Sequence, residues 1–436
     1  MLLGGAGCAR PSAASPGATA SGARPGPNTS LPEHAPSTEG SSVPQLALGL
    51  DAGPTATGQA ITRAQQAVRD NPGVVEAYTA LASALLKRRR ETSNPVFIAY
   101  AEDVLRAASL HHPADPQVRL LTTMVLLEQH RFSAAADKAR ALAVALPNNP
   151  TPQLLLGDAL LELGDYDGSA DAFQAAMNLR PDLRSYNRAA HMRWLYGDFD
   201  GALEIMDLAI DAGSLRDPEG QAWCFADLGA MYLARGDGRR AKASADRALA
   251  LVPEYIPGLI VTAKAYAAMG NPADAIATMR KVVHRRATVE DLLTLSEWLD
   301  DAGNAEGASL RRSQAERLAD EDPRPMAHFL ARHGDDPEEA LRLAKLELSA
   351  RKNIAAYDTL ALALLRNGRA ADAAKASERA RSLGTADAGL LLHAAMIDAA
   401  LGHPSEAAAT LDRALALNPD VDKRLVGELS RAVEGA

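Results

Sequence analysis

The chain has 436 residues, enough for several ordinary domains or one extended array, and it is 47% hydrophobic but only 4% aromatic. An Ala- and Leu-rich interior of this kind suits closely approaching helices and argues against a β-sandwich. A net charge of -9 argues against general binding to a phosphate backbone, and two cysteines, Cys8 and Cys224, exclude a disulfide framework.

The N-terminus reads MLLGGAGCAR. Gly5-Ala6-Gly7-Cys8 resembles the small-residue box before the lipid-modified cysteine of bacterial lipoproteins, with Gly5 where that family usually carries Leu. The apolar run Leu2-Leu3 is shorter than the roughly 7–15 residues of a signal peptide, and no Lys or Arg precedes it. Residues 1–8 are therefore expected to be a truncated or atypical lipoprotein signal region with Cys8 as its lipidation site. Residues 9–58 are rich in Pro, Ala, Ser and Gly and contain no aromatic residue and no Lys. Such a segment cannot bury enough apolar surface to offset its ordering entropy, so it is expected to be a disordered tether. Asn28-Thr29-Ser30 matches the glycosylation triplet, read here as coincidence. No apolar run approaches the roughly 18 residues of a membrane-spanning helix.

From Gln59 onward the pattern is helical. A leading helix over Gln59–Pro72 is followed by a unit, Val74–Pro113, stretched by an insertion around Arg89–Val96. Lys87-Arg88-Arg89-Arg90 reads as a solvated helix end, since nothing else basic joins it. Pro116–Pro147 is a unit with His130 at its turn. From there glycines mark the turns: Gly164, Gly197, Gly236, Gly270, Gly303, Gly334, Gly368 and Gly402, separated by 33, 39, 34, 33, 31, 34 and 34 residues. A longer loop over Asp211–Glu219 accounts for the 39. Seven residues before each glycine stands a small residue, Gly157, Ala190, Gly229, Ala263, Ser296, Ala327, Ala361 or Ala395. Further small residues follow five and twelve places after it, as at Ser169 and Ala176, and these are the places where two helices cross closely.

Thr151–Pro181, TPQLLLGDALLELGDYDGSADAFQAAMNLRP, carries Gly157, Tyr166, Ala176, Phe173 and Pro181 at the spacings of a tetratricopeptide repeat, and the 34-residue period is the length of that repeat. The chain thus resembles tetratricopeptide-repeat (TPR) proteins, and with its N-terminus it is similar to bacterial surface-anchored TPR lipoproteins. The resemblance implies an all-α, right-handed α-solenoid of about ten helix-turn-helix repeats over residues 59–419, with a capping helix in 420–436.

No phosphate-binding loop, Gly-x-Ser-x-Gly or His-Glu-x-x-His motif occurs. His111-His112 are adjacent and His328 and His333 five apart, so neither pair has the spacing of metal ligands on one helix, and neither a metal nor another cofactor is expected. Cys224 reads as a buried free thiol. In the TPR family the first helix of each repeat lines a groove. Helical spacing places Asn187, His191 and Trp194 on that stripe, with Trp223 in the next repeat, Asp158 and Leu161 in the preceding one, and Lys264 and Glu297 further on. Leu120, Met124, Leu154, Ala226 and Ala230 occupy places where some TPR co-chaperones carry groups that hold a peptide carboxylate, so capture of that kind is not expected.

The function expected is a non-enzymatic scaffold at the cell envelope, lipid-anchored or secreted. It would bind a peptide or protein partner and no nucleic acid, and would meet membrane only through Cys8. The alternative is a cytoplasmic TPR adaptor that regulates a transcription factor or kinase. Cys8→Ala is expected to abolish metabolic lipid labelling and shift the protein from the membrane to the soluble fraction; a wild type that is itself soluble and unlabelled removes the anchor.

Overall fold

Gly-Asp pairs build the bend of several repeats. Gly164, Gly197 and Gly236 adopt left-handed φ of 75°, 80° and 73°, a conformation that costs other residues more and that ends a helix cleanly. The following Asp165, Asp198 and Asp237 then cap the second helix, accepting from the backbone N–H of Gly168, Gly201 and Arg240 at 3.1, 3.0 and 2.9 Å. All eight turn glycines have positive φ, and His130, at φ 58°, takes the same conformation in their place.

The computed structural model describes residues 45–214, 217–320 and 322–434. The segment 1–8, its Cys8 and the tether up to residue 44 lie outside them. Among the described residues the regular elements are 23 helices, numbered α1–α23 in chain order. α1 (Gln45–Gly49) and α2 (Ala56–Asp70) precede ten antiparallel pairs, which begin with α3 (Val75–Thr92) and α4 (Val96–His111). The first helices of the later pairs are α5 (Pro116–Glu128), α7 (Thr151–Glu162), α9 (Leu183–Leu195), α11 (Pro218–Ala234) and α13 (Ile256–Ala268). They continue with α15 (Val289–Asp301), α17 (Pro323–His333), α19 (Ile354–Arg366) and α21 (Ala388–Ala400). α23 (Lys423–Glu434) ends the stack.

The small-residue columns are where each pair closes. Ala190, Ala263, Ser296, Ala327, Ala361 and Ala395 have no exposed surface, nor do Ser169, Ala202, Ala241 and Ala340 in the facing helices. A Cβ at Gly157 would be driven into the Phe173 ring, and one at Gly229 into Val261 Cγ1. The Ser169 hydroxyl donates to the Gly157 carbonyl and that of Ser296 to Ala308, both at 2.9 Å, so even the polar members of the columns are satisfied at the crossing.

The stack also meets itself. The turns at Gly164, Gly197 and Gly236 abut Lys352, Gly384 and Asn418, far along the chain. Lys352 N–H donates to the Glu162 carbonyl at 2.7 Å, Asn353 Nδ2 to Glu162 Oε2 at 2.7 Å, Ile354 N–H to Tyr166 Oη at 2.6 Å, and the Thr385 hydroxyl to the Leu195 carbonyl. Gly270, Gly303, Gly334, Gly368 and Gly402 have no such neighbour.

One expectation needs correction and two gain detail. Packing begins before residue 59: Ala47, Leu48 and Ala52 are buried, and Gln65 Nε2 donates to the carbonyls of Ala47 and Leu50. The apolar sequence Leu46-Ala47-Leu48 is therefore part of the folded unit, though it looks like the last of the tether. The insertion around Arg89–Val96 is an extra stretch of α3, 18 residues long, with Ser93 at φ 54° where other repeats have glycine. The capping helix buries Leu425 and Leu429, but it also reaches back past the last repeat. Arg332 Nε at the end of α17 donates to Asp422 at 2.7 Å, and Arg366 Nη2 at the end of α19 to Glu428 at 2.9 Å.

Gly197→Ala is expected to lower the thermal midpoint clearly more than Gly303→Ala. Both lose roughly 1–2 kcal/mol to the left-handed φ, but only at Gly197 does the new Cβ meet the Gly384 carbonyl oxygen, at 2.6 Å. Equal midpoints would show that the turn-to-turn contact contributes nothing to stability.

Candidate functional site

The first helices turn one face towards two adjoining cavities. The larger, of about 540 Å³, lies among α7, α9, α13, α15, α17, α19 and α21. The smaller, of about 450 Å³, lies among α7, α9 and α11, and the two share Leu161, His191, Trp194 and Asp387. All eight residues expected on the stripe line one or the other: Asp158, Asn187 and Trp223 the smaller, Lys264 and Glu297 the larger, and Leu161, His191 and Trp194 both.

Their partners are groups that helical spacing did not single out. Arg188 makes a bidentate pair with Asp158, at 2.7 and 2.6 Å, with its guanidinium centre 5.7 Å from the Trp223 ring and 6.0 Å from Phe173. Asn187 Nδ2 donates to Asp227 Oδ2 at 2.8 Å, while burial pushes that carboxyl up to about 6. His191 lies against Trp194, ring centres 5.6 Å apart, and burial favours its neutral form. Trp194 Nε1 is buried with no protein acceptor.

Lys264 Nζ donates to Glu290 at 2.9 Å. Both keep surface open to the larger cavity, with side-chain exposures of 37 and 55%. Lys264 nevertheless holds the Glu290 carboxyl down to about 2 against the opposing effect of burial. Glu297 accepts from Arg332 Nη1 at 3.0 Å and lies 3.3 Å from His333 Nε2; burial raises its pKa and Arg332 opposes the rise. Cys224 is fully buried and its thiol is pushed up to about 12, which makes it inert as a nucleophile. Lys87, the first of the basic run, pairs with Glu219 at 3.0 Å.

One cluster was missed. His328, set aside because His333 stands five residues away, meets Asp358 and His393 from the next two repeats. A signal for it existed in the glycine register. Asp158, His191, Lys264, Glu297 and His328 all stand six residues before their turn glycine, and Asp358, like Asn187, stands ten before. Arg188, Asp227 and His393 share the place nine before.

Asp227→Asn keeps an acceptor for Asn187 and removes the ionisation. The folded carboxyl titrates near 6 against an ordinary 3.8. Its charged form therefore costs stability above pH 6 and nothing below about pH 4. The variant is expected to be more stable than wild type at pH 7.5, by on the order of 1–3 kcal/mol, with the gain fading by pH 4. Melts at the two pH values check this, and an equal gain at both would rule it out.

Residues 154–216 match the tetratricopeptide repeat family. No curated protein matches the sequence. Among solved structures, the human IFIT1 dimer with m7Gppp-AAAA is 15% identical, with 86% of this chain and 94% of that one covered at a TM-score of 0.49. The APC/C hetero-tetramer Cut9-Hcn1 is 16% identical, covering 90 and 98% at 0.35. PilW, a type IV pilus biogenesis factor, is 21% identical, covering 46 and 92% at 0.38. The fold of this chain is an all-α solenoid of about ten tetratricopeptide-type repeats.

Proposed function

We propose that this protein is a non-enzymatic interaction scaffold that takes a peptide or protein segment against the interior face of its first helices. The observation that carries this reading is the pair of adjoining cavities with Trp194 at their junction and Trp223 beside it. Large aromatic anchors flanked by fixed polar groups are the usual core of an interface. Cavities of this size hold a few side chains or a short stretch of backbone.

The charge arrangement favours a polypeptide over a phosphate chain. Arg188 is engaged by Asp158, Lys264 by Glu290 and Arg332 by Glu297 and Asp422, so these cations are not free for phosphates. We place the scaffold at the cell envelope, anchored through Cys8; the small-residue box Gly5-Ala6-Gly7 before that cysteine supports this placement.

The double variant Trp194→Ala, Trp223→Ala is expected to abolish capture of partners from a native membrane and envelope fraction, with helical circular dichroism unchanged. A double variant that captures the same partners as wild type defeats the reading. One that melts early shows the two indoles to be core, with the recognition surface elsewhere.

A further inference from the structure

His328 of α17, Asp358 of α19 and His393 of α21 come from three successive repeats. One ligand atom from each lies within 4.8 Å of the others. His328 and Asp358 line the larger cavity, and His393 is buried behind them. Nothing in a single repeat calls for this set; it exists because three first helices run side by side.

We propose that His328, Asp358 and His393 form a binding site for a divalent transition-metal ion of the zinc class, its remaining coordination positions facing the larger cavity. Two imidazoles and one carboxylate are the donor set of zinc sites that keep a position open to water or another ligand. The nitrogen donors disfavour magnesium and calcium, which take oxygen. His393 Nδ1 stands 2.9 and 3.0 Å from the two Asp358 oxygens. Two ligand atoms on a tetrahedral zinc are separated by roughly 3.3 Å, so this pair is already near the required spacing. The His328 ring, only half-buried and 5.7 Å from that of His393, can supply the third donor by rotating about its side-chain bonds.

The charges permit it. His393 Nδ1 and Asp358 already face one another with no third side chain between them, so an ion would take the place between them. The surrounding cations are matched by carboxylates: Arg332 by Glu297 and Asp422, Lys264 by Glu290, and Arg324 by Glu347 at 4.0 Å. A buried His–Asp ion pair joining two repeats would account for Asp358 and His393. It leaves unexplained why His328 from a third repeat converges on the same point.

The test uses the full-length untagged chain, stripped with a chelator. ZnCl₂ is titrated calorimetrically, and CoCl₂ is followed by its visible absorption. The expected result is one saturable equivalent, a raised thermal midpoint and no competition from MgCl₂. His328→Asn and Asp358→Asn should each weaken binding by about tenfold or more. His111→Asn with His112→Asn, the adjacent surface pair, should leave it unchanged. Wild-type protein that takes up no saturable equivalent overturns the site, and so does binding that survives both His328→Asn and Asp358→Asn. If the buried Asp358 variant loses helical signal, the half-buried His328 variant carries the test alone. Trp194→Ala with Trp223→Ala should still bind the ion, so failure of the recognition reading and failure of the metal site are told apart.

Discussion

The contact of the solenoid with itself sets the terms for everything inside it. Turn Gly164 meets Lys352, turn Gly197 meets Gly384 and turn Gly236 meets Asn418, so the backbone returns to its own side after fewer than 190 residues. Each meeting brings backbone against backbone or against a short polar side chain. Only a residue without Cβ leaves room for it. An open array would present its first helices to bulk water. Here the return of the chain places α17, α19 and α21 opposite α7 and α9, and the space between becomes two half-open cavities.

Partial enclosure changes the electrostatics of the lining. Carboxylates and cations that would be hydrated on an open face lose part of their water and find one another. Asp158 takes Arg188, Lys264 takes Glu290, and Glu297 shares Arg332 with Asp422 of the segment leading into the capping helix. Where no cation pairs directly, as at Asp227, burial raises the carboxyl pKa. Histidines follow the same rule: His191 and His328 are held neutral, while His393, facing Asp358, has its pKa raised despite burial. The lining is thus a fixed pattern of paired charges around exposed parts of two indoles, a surface suited to recognising shape and to accepting a few polar contacts.

Much of this was legible in the sequence because it is local. A glycine that ends a helix, an Asp that caps the next and a small residue at each crossing are demanded within one repeat, and the 34-residue period repeats the demand. Helical spacing likewise placed Asn187, His191 and Trp194 on one face, since side chains three or four apart on a helix must share it. One local reading missed. Leu46-Ala47-Leu48 sits in a Pro- and Ser-rich stretch and gave no periodic signal, although Gln65 of α2 donates to the carbonyls of Ala47 and the nearby Leu50. The stretch around Arg89 reads as an insertion, and α3 is lengthened there, with Ser93 in the left-handed conformation at its end.

What the sequence by itself determined was the repeat, its turns, its closely packed crossings and the face each first helix turns inward. The tertiary structure alone decided which inward residues meet. Asp358 and His393, separated by 35 residues, meet because neighbouring first helices stack, whereas Glu162 and Asn353, separated by 191, are brought together by the small rotation between successive repeats, summed over many of them. That rotation arises from how side chains interdigitate at every inter-repeat interface. It leaves no period in the chain, so no spacing rule reports it.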